Sequence, residues 1–158
     1  MSEDKKTIIV FSNDMDKVLA SFVIATGAAA MGDEVTMFFT FWGLNVLRDP
    51  NKKSPKKSFL ERMFGRMMPK GVENLPLSKM NFLGIGPKLM KYMMRKKKVQ
   101  TLQEMLKQAQ ELGIKLVACS MSMDVMGIKK EELIDGVEIG GVATYLAEAS
   151  QAGLNLFI

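Results

Sequence analysis

Residues 7–11 read TIIVF, five positions that are apolar or β-branched with no polar alternation. A strand with one wet face alternates polar and apolar residues, so an uninterrupted run of this length predicts a strand buried on both faces. The pattern returns at residues 35–39 (VTMFF) and in the apolar end of residues 114–119 (IKLVAC), with shorter runs at 137–139 and 154–158. Helical patterns lie between these runs. Residues 16–31 read as a helix that is apolar nearly all round. Its uncharged part is 14 residues, too short to span a bilayer comfortably. Ser12, Asn13 and Asp14 offer N-caps and Gly32 a stop. Residues 101–112 open on a Thr101–Glu104 capping box and place Leu102, Met105, Leu106, Ala109 and Leu112 on one face. A helix is expected just after Cys119, a short one from about residue 129, and another over 142–152, ended by Gly153. Strands alternating with helices, the strands lacking polar alternation, predict an α/β layered fold with a mostly parallel sheet.

The chain has 158 residues, enough for one domain with a sizeable core, and 1–158 is read as a single unit. It holds no histidine and one cysteine, Cys119. Histidine-based acid–base catalysis, Ser-His-Asp triads and thiol-rich zinc sites within one subunit are thereby excluded. So is an intrachain disulfide. The charged start, MSEDKKTIIVFS, shows no targeting segment, and with the lone thiol this points to a reducing cytoplasm.

The net charge of +5 hides an asymmetry. Residues 48–98 hold 15 Lys/Arg against 3 Asp/Glu, a local +12, while the remainder carries −7. This basic segment reads as an insertion between the second strand and the capping-box helix. It starts with a turn-forming stretch, RDPNKKSPKKS, expected to be mobile. Seven of the fifteen methionines follow, interleaved with Lys and Arg. Two readings fit: a basic amphipathic surface for an anionic membrane or an adaptable partner groove, with peripheral membrane contact through 60–98, or a helical subdomain covering its own core with lysines outside. Nucleic acid is not expected, because aromatics for base stacking are sparse there.

In open parallel sheets ligands bind beyond the carboxyl ends of strands. Three stretches fall there: Ser12-Asn13-Asp14, Thr40-Phe41-Trp42-Gly43 and Cys119-Ser120-Met121. A thiol at a strand end and helix start lies near unpaired N–H groups that favour thiolate, although free cysteines are also often buried and inert. The pocket candidates around it are Ser12, Asn13, Phe41, Trp42, Gly43, Ser120, Met121, Ser122, Met123 and Asp124. Met121, Met123 and Met126 have the helical spacing of core residues, which outweighs soft-metal binding. Asp124 reads equally as a supporting acid or a solvated residue. Gly84 and Gly86 (LGIGPK) follow no strand and precede Pro87, which argues against a phosphate loop. No metal or cofactor is expected.

Four stretches carry a resemblance: FFTFWGLNVLR (38–48), LPLSKMNFLGIGPKLMK (75–91), ACSMSMDVMGI (118–128) and DGVEIGGVATYLAEA (135–149). The chain resembles the DsrE/DsrF-like sulfurtransferase family, specifically its larger members with a Met-rich insertion. The resemblance implies a three-layer α/β/α fold with about five strands and a homo-oligomer, trimer or hexamer. It also implies a persulfide carried on Cys119 between sulfur donor and acceptor proteins acting in trans. No Thr/Ser-x-x-Cys arrangement precedes Cys119, so a peroxiredoxin-like activity does not fit. The alternative is a non-catalytic binding module that uses the strand-end crevice or the basic insertion to hold a small ligand, partner or membrane surface.

Overall fold

A computed structural model describes residues 4–158; the first three residues, which the single-unit reading and the charged start both take in, lie outside the described residues. Five strands form one sheet: β1 (Lys5–Val10), β2 (Glu34–Phe39), β3 (Lys115–Cys119), β4 (Val137–Gly140) and β5 (Ala152–Phe157). Their order is β4-β3-β2-β1-β5, and every neighbouring pair is parallel. The chain therefore steps outward from β1 to β4 and then returns to the far side of β1. Helices cover both faces. On one lie α1 (Met15–Ala30) and α4 (Leu102–Glu111), where Val18, Phe22 and Ala25 meet Leu106 and Ala109 over Ile8, Met37, Phe39 and Leu116. On the other lies α6 (Val142–Ala149), whose Tyr145 packs on Phe38, Val117 and Cys119. This is an α/β fold with a parallel five-stranded sheet, as the unalternated apolar runs predict.

Local signals explain most boundaries. The Thr101–Glu104 capping box forms as read, and Gly32 takes the left-handed conformation just past α1. The last helix is shorter than its periodicity suggests. It ends at Ala149, and Gly153 lies inside β5 rather than stopping a helix. Pairing explains this: Lys5 faces Ala152 while Lys6 faces Leu154, so Gly153 is the extra residue of a bulge.

The insertion departs further from expectation. It contains α2 (Phe59–Met67) and α3 (Ile85–Lys96). The basic stretch before α2 is tied down by contacts across the chain. Ser54 donates to Glu132 Oε1 at 2.9 Å, Lys57 pairs with Glu132 Oε2, and Lys52 reaches the Leu133 carbonyl at 2.8 Å. Glu132 and Arg48 are buried and stand 3.7 Å apart. A carboxylate taken out of water needs such partners, and here the partners order a segment whose composition reads as a loop. The insertion also does not enclose a core of its own. Of its seven methionines only Met94 is buried, and no residue of α2 is. Gly84 and Gly86 serve the backbone: Gly84 is left-handed at the start of α3, and Gly86 lies against the Met80 carbonyl.

Candidate functional site

The carboxyl ends of β2, β3 and β4 meet in register, with Phe39 opposite Ala118 and Cys119 opposite Gly140. Cys119 is the last residue of β3 and the N-cap of α5 (Ser120–Met126). Its side chain lies on the α6 side of the sheet, 1% exposed, against Phe38, Val117 and Tyr145.

Two strand ends supply polar groups to the sulfur. Thr40 follows β2, and its hydroxyl lies 2.8 Å from that of Ser122, a buried residue in the first turn of α5. Phe41 holds a left-handed backbone (φ 49°), unusual for a bulky residue, and begins the 3-10 turn Phe41–Leu47 directly after Thr40. Burial pushes the Cys119 thiol up. The Ser122 hydroxyl and N–H, the Thr40 hydroxyl and the Met121 N–H outweigh it, and the thiol ends below its ordinary range. The N–H groups do not close formal capping hydrogen bonds to the sulfur; their effect is that of dipoles aimed at a forming anion. The donors in the first turn after β3 therefore bias Cys119 toward thiolate relative to an isolated thiol.

The remaining candidates divide. Ser122 and Met123 are buried beside the thiol's helix, and Ser120 is half-buried against Gly141. Met121 is 56% exposed, so it supplies its N–H and not an apolar wall; the core spacing holds for Met123 and Met126 only. Asp124 is exposed. Gly43 is buried, its N–H donating to the Phe11 carbonyl at 2.9 Å, and it holds the 3-10 turn against β1. The Phe41 ring lies tilted against Phe11 at 6.0 Å and edge-on to Trp42 at 6.4 Å. Ser12 accepts from the Asp14 N–H at 3.0 Å in the turn into α1, and half-buried Asn13 follows it. Both lie after β1, two strands from β3, or about 10 Å at ordinary strand spacing. The residue the pocket candidates omitted is Thr40. Its signal was its place as the first polar residue after a buried strand beside the cysteine strand. Among the described residues, no three carboxylates, histidines or cysteines converge as metal ligands.

Ser122→Ala removes the hydroxyl that most strongly favours the thiolate. The thiolate absorbance of this single-cysteine chain is then expected to appear at higher pH than in the wild type. An unchanged midpoint would show that Ser122 does not act on the sulfur.

A parallel five-stranded sheet with a single thiol at the end of β3 defines the class. The chain belongs to the DsrE/DsrF/DrsH-like family, whose model matches residues 3–157. Among individual proteins, it is 52% identical over the whole of both chains to Uncharacterized protein YrkE of Bacillus subtilis (strain 168). It is 34% identical, again over the whole of both chains, to Sulfur carrier protein DsrE2 of Allochromatium vinosum. The fold is similar to that of the ychN protein from E. coli (TM-score 0.57, 13% identity, 98% of this chain and 99% of that one). It is also similar to MTH1491 from Methanobacterium thermoautotrophicum (TM-score 0.53, 13% identity, 97% and 98%).

Proposed function

We propose that the chain is a sulfur-relay protein that carries sulfane sulfur as a persulfide on Cys119. The observation that carries this reading is the convergence of Thr40, Met121 and Ser122 on the only thiol, holding its pKa below the ordinary range. Family membership supports a role in sulfur relay, and so does whole-length similarity to a protein named as a sulfur carrier. In the transfer, the Cys119 thiolate attacks the outer sulfur of a donor persulfide. The donor's S–S bond breaks, the donor thiolate leaves, and Cys119 gains one sulfur with no net oxidation. An acceptor thiolate then takes the outer sulfur by the same exchange. The chain holds no second cysteine, so the acceptor thiol comes from another protein, in trans.

Burial shapes this chemistry. A 1% exposed sulfur is protected from stray thiols, and handing sulfur on requires the covering side to open. That side is α6, none of whose residues is buried, so little apolar contact holds it down. The same face leaves Val142, Leu146 and Phe157 exposed. A second copy over it fits the homo-oligomer, trimer or hexamer, that the family resemblance implies, and the carrier is read as cytoplasmic.

Intact-mass measurement after incubation with inorganic polysulfide tests the reading. Wild type is expected to gain the mass of one sulfur atom, removed by dithiothreitol, and Cys119→Ser is expected to gain none while keeping its fold. Uptake by the serine variant, or none by wild type from polysulfide or a small-molecule persulfide, overturns it.

A further inference from the structure

Both helices of the insertion expose apolar side chains to solvent. In α3, Gly86, Pro87 and Met94 face the body. The opposite stripe, Ile85, Leu89, Tyr92 and Met93 at i, i+4, i+7 and i+8, is apolar and exposed. Lys88 and Arg95 flank it and Lys96 ends it, all three exposed. The turn before α3 continues the surface. Phe82 is exposed and Leu83 is 103% exposed, the most exposed large apolar side chain among the described residues. Met80, Phe82 and Leu83 all hold left-handed backbones (φ 58°, 42° and 54°), a conformation that costs non-glycine residues. In α2 the side toward the body is polar: Glu61 lies against Gly127, and the Gly65 carbonyl accepts from Arg48 at 3.2 Å. Phe59, Met63 and Met67 point to solvent, with Arg62 and Arg66 exposed beside them.

An amphipathic helix on a globular body normally turns its apolar face inward. Here α2 turns none of its apolar residues inward and α3, led by a strained apolar tip, carries a second apolar stripe on its outer side; such a stripe marks a surface with an external occupant. Charge decides which. The segment carries +12, so a second copy set against it would oppose two strongly cationic surfaces. A protruding apolar tip flanked by exposed cations matches a fluid anionic surface, which offers headgroups to the cations and an apolar interior to the tip. None of the described helices is long and apolar enough to cross a membrane, so the contact lies at the surface.

We propose that α3 and the turn before it, with α2 beside them in the chain, dock onto an anionic lipid bilayer, Leu83 and the Ile85–Met93 stripe entering the interface while Lys88, Arg95 and Lys96 meet the headgroups. The inference stands on these helices alone and is independent of what Cys119 carries.

Flotation of the full chain with vesicles tests it. The protein is expected to float with phosphatidylcholine vesicles containing phosphatidylglycerol and not with phosphatidylcholine alone. Raised salt should weaken the binding as the lysine–headgroup attraction is screened. Leu83→Asn with Leu89→Gln is expected to lower the bound fraction about tenfold or more, since two apolar side chains no longer leave water. Asparagine tolerates the left-handed position and both residues are exposed, so an unchanged thermal melt confirms the fold. Lys88→Glu with Arg95→Glu is expected to remove the preference for phosphatidylglycerol. Equal flotation with both vesicle types, wild-type flotation of the leucine variant, or no flotation at all overturns the proposal. The last holds also if the leucine variant dissociates a solution oligomer, which would assign the surface to a second copy.

Discussion

Glu132→Gln is expected to cost about 3–5 kcal/mol of unfolding free energy, the range for removing one member of a buried ion pair. Glu132 is fully buried and accepts from the Lys129 N–H at 2.8 Å and from Ser54, with Lys57 on Oε2 and Arg48 3.7 Å from Oε1. Glutamine keeps the shape but leaves two cations in low dielectric without a counter-charge. The other partners of Arg48 are neutral oxygens, of Asn45 and Pro69 at 3.4 Å and of Gly65 at 3.2 Å, and its Nε has no partner. Because Arg48 also holds the Gly65 carbonyl of α2, the damage should include the insertion. Denaturant titration measures the cost, and a loss below about 1 kcal/mol, the level of an exposed pair, would reject the reading.

The pH dependence follows with a definite sign. Burial raises the Glu132 carboxyl, but the Lys129 N–H, Lys57 and Ser54 outweigh it and the pKa lies below the ordinary carboxylate value. Such a group stabilises the fold fully above its unfolded pKa and loses that contribution as pH falls through its folded one. The gap between wild type and Glu132→Gln should therefore be widest near neutral pH and close in acid.

Gly43→Ala is expected to destabilise the fold by about 1–3 kcal/mol or more, the cost of forcing extra volume into a packed site. A Cβ at Gly43 would stand 1.9 Å from the Val10 carbonyl oxygen and 2.8 Å from its carbon. Both are backbone atoms of a central strand and cannot swing aside. The 3-10 turn must lift, breaking the Gly43 N–H contacts to the Phe11 and Thr40 carbonyls. Thr40 moves with the turn, so the thiolate should also appear at higher pH. Thermal melting and thiolate titration read the two effects separately. A fully stable variant with wild-type titration would show that the turn adapts without disturbing the site.

Gly43 shows where sequence reading stops. It stood among the pocket candidates because its loop follows a strand, and its requirement for glycine comes from β1, some thirty residues earlier in the chain. Thr40 shows the converse: adjacent to the candidates, it takes meaning only when Ser122, 82 residues away, is brought to 2.8 Å.

What the sequence by itself determined is whatever rests on local pattern. Unalternated apolar runs specified the buried strands β2 and β3, while the shorter runs became the exposed edge strands β4 and β5; the Thr101–Glu104 pair specified a helix start, and Cys119 was placed between a strand and a helix. These signals are short-range, set by the 2.0 and 3.6 periods and by unpaired N–H groups at helix ends. Only the tertiary structure decided which polar groups reach the sulfur and that RDPNKKSPKKS is held by a buried carboxylate 75 residues beyond Lys57. It alone also decided that α2 and α3 face outward. A periodicity defines an apolar stripe but not its direction, because that direction is set by packing against residues distant in the chain, and here Ile85, Leu89 and Phe59 are left exposed.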